Sequence, residues 1–126
     1  MGIIQTKIIL SNPTKPHLNP IEVEALVDTG ASYLCLPKHY AIQLELEELN
    51  KREVEIANGE SGEYPYAGPL KVQFQNRSCF SGAIIIGKEV LLGAIPMEDM
   101  DLVIHPLTRT ITVNPDSPNI PKGLAK

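Results

Sequence analysis

Apolar and polar residues alternate with the two-residue period of β-strands over much of the chain. The segment Ile21–Val27 alternates through Ala25 and then becomes wholly apolar. This pattern indicates a strand that starts half exposed and ends in the core. Comparable apolar runs predict further strands over residues 2–10, 33–36, 52–57, 63–74, 79–86, 90–93, 102–105 and 110–113. We therefore predict a mostly β chain.

Proline and helix-forming residues indicate where short helices interrupt the strands. Pro37 fits the first turn of a helix, where a missing N–H costs nothing. Residues 38–49 are rich in helix formers, which predicts one or two helical turns. A further short helical turn is predicted over residues 96–100. Helices are therefore expected to be few and short.

A hairpin is predicted in the middle of the chain. Asn58-Gly59 is the strongest short hairpin signal in the sequence. The return arm contains Pro65, Gly68 and Pro69, and proline is tolerated only at edge or irregular strand positions. This hairpin should therefore be exposed and poorly covered by its neighbours.

Length and composition are those of one ordinary globular domain. The chain has 126 residues, of which 43% are hydrophobic and 21% are charged. We expect a domain over residues 1–113 and a loose, proline-rich tail over residues 114–126. The net charge of −4 argues against nucleic-acid binding. We find no apolar run in the sequence long enough to span a membrane, and we read no signal peptide. We therefore expect a cytoplasmic protein.

The metal-ligating residue types do not form a site in the sequence. Cys35 and Cys79 lie in apolar strand-like stretches, which favours buried free thiols in a reducing compartment over a disulfide. His17, His39 and His105 are scattered without the spacing of ligands. We therefore expect neither a metal nor another cofactor.

Candidate chemistry lies at Asp28-Thr29-Gly30, where the apolar strand ends. Hydrolysis of a peptide bond without a nucleophilic side chain needs a base to activate water and an acid to protonate the product. Two carboxylates held close together can do both, because they do not readily ionise at the same time. The Thr29 hydroxyl can bond nearby backbone, and Gly30 has no side chain to keep two such loops apart.

Asp-Thr-Gly alone is a weak signal, since a simple turn capped by Asp28 has the same composition. The order of elements strengthens it. An apolar strand precedes Asp28, the Asn58-Gly59 hairpin follows, and Leu91-Leu92-Gly93 comes later.

In these residues the chain resembles the retropepsin-like (clan AA) aspartic proteases of non-viral or bacterial type. Ala25-Leu26-Val27-Asp28-Thr29-Gly30-Ala31-Ser32 is similar to that family's active-site loop. Asn58-Gly59-Glu60-Ser61-Gly62 occurs where the family has its flap hairpin. Leu91-Leu92-Gly93 resembles the element that passes behind the loop. The resemblance implies an all-β, closed barrel with one or two short helices.

The resemblance also implies roles for individual residues. Asp28 would be the catalytic acid or base, and Thr29 would form hydrogen bonds between subunits beneath it. Gly30 and Ala31 would line the floor of the cleft. Residues 58–62 would close over a peptide or protein substrate.

A homodimer follows from the number of such loops. The chain has one Asp-Thr-Gly, and Asp116-Ser117 is followed by proline, so it cannot be a second loop. A second carboxylate must then come from another copy, with the site on a two-fold axis. Ser32 and Ala94-Ile95 stand where viral members have an acidic residue and an arginine, which favours a cellular or bacterial relative.

Two other interpretations are compatible with the sequence. The same fold could serve as a binding or dimerisation module that cleaves nothing, because fold does not determine function. The chain could also be an unrelated β-domain with a chance Asp-Thr-Gly, and Asn58-Gly59 could be an ordinary surface turn.

Overall fold

The alternating segments form strands that close into a barrel in a computed structural model, which describes residues 3–125. Met1, Lys126 and the predicted strand start at Gly2 lie outside the described residues. The elements are β1 (Gln5–Ser11), β2 (Ile21–Val27), β3 (Leu34–Leu36), α1 (Lys38–Gln43), β4 (Glu47–Glu55), β5 (Ser61–Phe74), β6 (Arg77–Ile85), β7 (Val90–Leu92), α2 (Ala94–Asp99), β8 (Leu102–His105) and β9 (Thr110–Val113).

Six strands form the closed barrel. Their order is β1-β2-β7-β3-β6-β5, and β1 pairs with β5 to complete the ring. The strand β4 lies outside the ring and pairs with β5. The predicted all-β closed barrel with short helices is confirmed, and β8 pairs with β9 in a separate two-stranded sheet.

The core lies inside the barrel and is aliphatic. In β2, Val23 and Ala25 are buried while Glu22 and Glu24 are exposed, as the alternation predicts. The buried cluster consists chiefly of Ile8, Leu10, Val23, Ala25, Leu34, Leu36, Leu44, Leu70, Val72, Phe74, Val90, Leu92, Met97, Met100 and Ile111. Since apolar burial is the main stabilising term, this cluster fixes the strands that end at the candidate site.

The helix predicted within residues 38–49 is present but covers only Lys38–Gln43. Its end is set by a distant contact: Asn12 Nδ2 donates to the Leu44 carbonyl oxygen at 2.9 Å. Glu45 then has a positive φ of 52°, which ends the helix. The remaining residues of the segment join β4 instead, because pairing with β5 outweighs their helix propensity.

A turn over residues 56–60 joins β4 to β5. Gly59 has a φ of 85°, and the Asn58 side chain accepts a hydrogen bond from the Glu60 N–H at 2.9 Å. Residues 57–61 are exposed, as the sequence predicts. Pro65 pairs with β4 just before pairing to β6 begins, and Pro69 lies in an irregular stretch of the β5–β6 pairing. Both prolines therefore avoid regular two-sided pairing.

The C-terminal segment after β9 has no helix or strand among its described residues but is attached to the barrel. Arg77 is 1% exposed, and its Nη2 donates to the Ser117 carbonyl oxygen. The Asp101 carboxylate accepts hydrogen bonds from the Asn114 side chain at 3.1 Å and the Lys122 N–H at 2.9 Å. These contacts tie the tail to Arg77 of β6 and to Asp101, which follows α2.

Candidate active site

Asp28 follows directly after β2 and is fixed through its backbone. Its N–H donates to the Leu92 carbonyl oxygen at 3.1 Å, and the preceding Val27 N–H donates to Ile4 at 2.9 Å. The parallel pairing of Val27 with Leu92 brings these strands together. The position of Asp28 is therefore set by two barrel neighbours.

The segment 28–33, here named the Asp28 loop, holds the carboxylate by a local turn. Gly30 N–H donates to Asp28 Oδ1 at 2.9 Å, and Ala31 N–H donates to the Asp28 carbonyl oxygen at 3.1 Å. A Cβ on Gly30 would lie 3.1 Å from Oδ1, so glycine leaves room for this bond. Asp28 and Thr29 are exposed in the single chain. One oxygen of the carboxylate is thus oriented while the group stays open to a ligand.

Leu91, Leu92 and Gly93 lie directly behind the Asp28 loop. Ala94 N–H donates to the Ala31 carbonyl oxygen at 2.8 Å, and Ile95 N–H donates to that of Ser32 at 2.9 Å. A Cβ on Gly93 would lie 2.2 Å from the Tyr33 carbonyl oxygen. The close approach of the two segments requires glycine here.

A cavity of about 690 Å³ separates the Asp28 loop from the β4 side of the hairpin. It is larger than two other cavities of about 490 Å³ each. Its walls are Asp28, Gly30, Ala31, Ser32, Tyr33 and Cys35 on one side, residues 53–57 on the other, and Ile84, Ile86 and Leu91. This volume lies within the range of ligand-binding pockets.

The structure brings together some of the predicted site residues and separates others. Asp28, Gly30, Ala31 and Leu91 line the cavity, whereas residues 58–62 do not: residues 58–60 belong to the exposed turn, and Ser61 and Gly62 begin β5. Sequence reasoning missed the arm residues 53–57 as cavity lining. The alternation of residues 52–57 was the available signal, since every second side chain of a strand faces the same side.

Both cysteines are buried and free. Burial, together with the nearby charge of Asp28, raises the pKa of the Cys35 thiol above its ordinary value. Cys35 lines the cavity but is kept protonated, and the protonated thiol is a poor nucleophile. Burial and the neighbouring Asp99 raise the pKa of Cys79 to about 12. Neither thiol is therefore activated as a nucleophile.

Within residues 3–125, His, Cys, Asp and Glu side chains form no group of three that could hold a metal ion. Over the same residues, the helices fall short of the length and apolar character needed to cross a membrane.

Comparisons with solved structures show what the fold resembles. The retroviral protease-like domain of Ddi1 from Leishmania major has a TM-score of 0.57 at 15% identity, covering 95% of this chain and 94% of that one. EIAV protease, complexed with an inhibitor, has a TM-score of 0.54 at 18% identity, covering 78% and 88%. At these identities the likeness concerns the fold. No curated protein sequence matches the chain.

A family model described as gag-polyprotein putative aspartyl protease matches residues 14–94. This range holds the Asp28 loop, the β4–β5 turn and Leu91-Leu92-Gly93, and it covers more than half of the chain. The retropepsin-like barrel and this match agree, and the chain belongs to the gag-polyprotein aspartyl protease family, a retropepsin-like group.

Proposed function

We propose that the protein is an aspartic endopeptidase, which hydrolyses peptide bonds by a water activated between the Asp28 carboxylates of two subunits. The observation that carries this proposal is the orientation of Asp28. Its Oδ1 accepts the Gly30 N–H at 2.9 Å, while the carboxylate stays exposed beside a cavity of about 690 Å³. A carboxylate that served only as a turn cap would not need this open space.

The reaction needs both a base and an acid at the scissile bond. One carboxylate takes a proton from water, and the hydroxide equivalent attacks the carbonyl carbon. The second carboxyl group, which is protonated, donates its proton to the amine nitrogen as the C–N bond breaks, and the amine product leaves with it. Two adjacent carboxyl groups favour such a shared-proton state because both cannot readily ionise.

The second carboxylate is proposed to come from a second copy of the chain. The sequence contains one Asp-Thr-Gly, and a two-fold axis through the exposed Asp28 loops would bring two of them together. In that homodimer Thr29 would form the hydrogen bonds between the loops. Gly30 and Ala31 would form the cleft floor.

The substrate is proposed to be a peptide or an unfolded protein segment. The walls of the cavity are largely apolar, with Ala31, Ile84, Ile86 and Leu91 among them. An extended peptide could lie between this wall and the β4 arm, with residues 58–62 acting as a flap over it. The cytoplasmic location stays a prediction from the sequence.

Cleavage of an unfolded protein substrate between about pH 4 and 7 tests the proposal, with Asp28→Asn as the inactive variant. Asn retains the shape of the side chain but cannot exchange the proton. We expect the variant to lose at least about a thousandfold in kcat. Asp116→Asn is the matched control, because it makes the same chemical change at an exposed position of the tail, outside the cavity.

Cleavage by the parent and by Asp116→Asn, but not by Asp28→Asn, would support the enzyme and the role of Asp28 together. Equal cleavage by parent and Asp28→Asn would refute the assignment of Asp28. Absence of cleavage by a folded, dimeric parent would favour the non-catalytic binding or dimerisation module instead.

A further inference from the structure

A cation between two aromatic rings connects the hairpin to the Asp28 loop. Arg52 on β4 donates from Nη1 to the Tyr33 hydroxyl at 3.2 Å. Its guanidinium carbon lies 3.7 Å from the ring centre of Tyr66 and 5.4 Å from that of Tyr33. The two rings meet edge to face, with centroids 5.9 Å apart. All three side chains are half-buried, which strengthens the attraction of the cation to the rings.

The two tyrosines are packed against the barrel in different ways, Tyr66 through its ring and Tyr33 through its backbone. A Cβ on Gly82 of β6 would lie 2.3 Å from Tyr66 Cζ, so the Tyr66 ring packs directly on that glycine. The Tyr33 backbone lies against Gly93, as described above. Arg52 therefore contacts two tyrosines that are each packed against the barrel.

The strand that carries Arg52 is the least supported strand of the sheet. β4 is the outer edge, pairs with β5 alone and has an irregularity between Glu48 and Asn50. Within residues 3–125, the Arg52–Tyr33 bond is the one side-chain hydrogen bond that joins β4 to the Asp28 loop. Its removal would leave these described residues without a side-chain hydrogen bond between β4 and the Asp28 loop.

The partner of Arg52 is selected by position and not by charge alone. Glu53 and Glu55 are on the same strand, and the neighbouring Lys51 does pair with Glu48 at 3.4 Å. Among the described residues Arg52 forms no ion pair and instead packs on the tyrosines. Its planar guanidinium can stack on one ring and donate to a hydroxyl at the same time, which an ammonium group cannot do equally well.

We propose that Arg52 is a positioning residue, which holds the hairpin at a fixed distance from the Asp28 loop through Tyr33 and Tyr66 and thereby sets the width of the cleft. The kinetic consequence rests on the proposed peptidase function. The structural consequence, a hairpin that opens when Arg52 is lost, is independent of cleavage.

The structural test is amide hydrogen exchange of Arg52→Gln in the full chain. We expect residues 53–61 to exchange about tenfold faster than in the parent, with β1 and β2 unchanged. Arg52→Lys should give an intermediate rate, because it retains the cation but loses the planar fork. Lys51→Gln is the matched control, because Lys51 is the neighbour of Arg52 and pairs with Glu48 on the surface. Amide exchange in this variant should equal that of the parent.

The kinetic test compares KM and kcat for the same variants. A cleft that is no longer held closed binds substrate less well, so Arg52→Gln should raise KM about tenfold and change kcat less than about threefold. Tyr33→Phe, which keeps the ring and loses only the acceptor, should raise KM in the same direction by a smaller factor. A merely structural role would reduce the amount of active enzyme and leave KM unchanged.

The outcomes separate the two proposals. Unchanged exchange over residues 53–61 in Arg52→Gln, or equal acceleration throughout β1 and β2, would overturn the positioning role whatever the activity. Faster exchange confined to the hairpin would support that role even if the parent cleaves nothing, a result that would count against the peptidase alone. In an active parent, an unchanged KM in Arg52→Gln would overturn the control of cleft width.

Discussion

Gly93 shows how one residue without a side chain can determine the geometry of the site. A Cβ at this position would lie 2.2 Å from the Tyr33 carbonyl oxygen and 2.8 Å from that of Ala31. Both neighbours are backbone atoms, which cannot move aside without shifting the Asp28 loop. The same loop receives the Ala94 and Ile95 N–H groups. Gly93 is therefore required by close packing.

Gly93→Ala should lower the free energy of unfolding by about 3 kcal/mol, because the added methyl group forces two packed segments apart. Cleavage should fall with it, since Asp28 is held by the segment that moves. Urea unfolding measures the first effect. Gly123→Ala is the control, because a Cβ there meets no atom within 4 Å; equal stability of the two variants would contradict the explanation.

At the scale of elements, one carboxylate accepts three of the hydrogen bonds that hold the C-terminal tail. Asp101 follows α2 with a φ of 55° and accepts hydrogen bonds from the Ser117 hydroxyl, the Lys122 N–H and the Asn114 side chain. These bonds lower the pKa of Asp101 from its ordinary 3.8 to about 2, and the bond from Ser117 has the largest effect. The ionised form is favoured because all three groups donate to it.

This lowered pKa predicts a pH dependence of stability. A carboxyl group that is more acidic when folded contributes stability above its unfolded pKa, and that contribution is lost as pH falls through the folded pKa. We expect the parent to lose stability between about pH 4 and 2, and Asp101→Asn to lose less over that range. Denaturant midpoints at pH 4, 3 and 2 measure the difference. Asp116→Asn should follow the parent; parallel curves for parent and Asp101→Asn would refute the role of Asp101.

At the scale of the whole molecule, each closed barrel carries one candidate catalytic carboxylate, that of Asp28, at its surface. The six-stranded ring fixes Asp28 between β2 and β7, while the side chain remains exposed. A barrel with a single Asp-Thr-Gly can form a paired site only by association with a second copy. The catalytic unit that we propose is consequently larger than the folding unit.

Mixing the parent with Asp28→Asn tests this dependence on two copies. After subunit exchange, a ninefold excess of the variant should reduce the activity of a constant amount of parent to about one tenth, because most parent chains then lie in heterodimers with one carboxylate. The rate of cleavage of excess substrate is the measurement. The same excess of an unrelated protein should have no effect. Full retained activity in the exchanged mixture would contradict a shared site.

Local sequence signals predicted the elements around Asp28 better than the contacts between them. The alternation in Ile21–Val27 and the apolar run at 90–92 agree with β2 and β7. The one or two helical turns predicted within residues 38–49 agree with α1. The sequence does not show where the helix ends, because the Asn12 side chain bonds the Leu44 carbonyl oxygen from 32 residues away. Propensity describes neighbours in the sequence, and this helix ends on a neighbour in space.

The sequence by itself determined the strand that ends at Asp28, the Asn58-Gly59 turn and the presence of one Asp-Thr-Gly per chain. These features follow from residue periodicity, turn geometry and simple counting, which act over a few residues. The tertiary structure alone decided that β1 closes the ring with β5 and that Gly93 packs behind Tyr33. It also decided that Arg52 bonds Tyr33, which lies 19 residues away in the sequence. These contacts join distant parts of the chain, and only the packing of the whole barrel selects them.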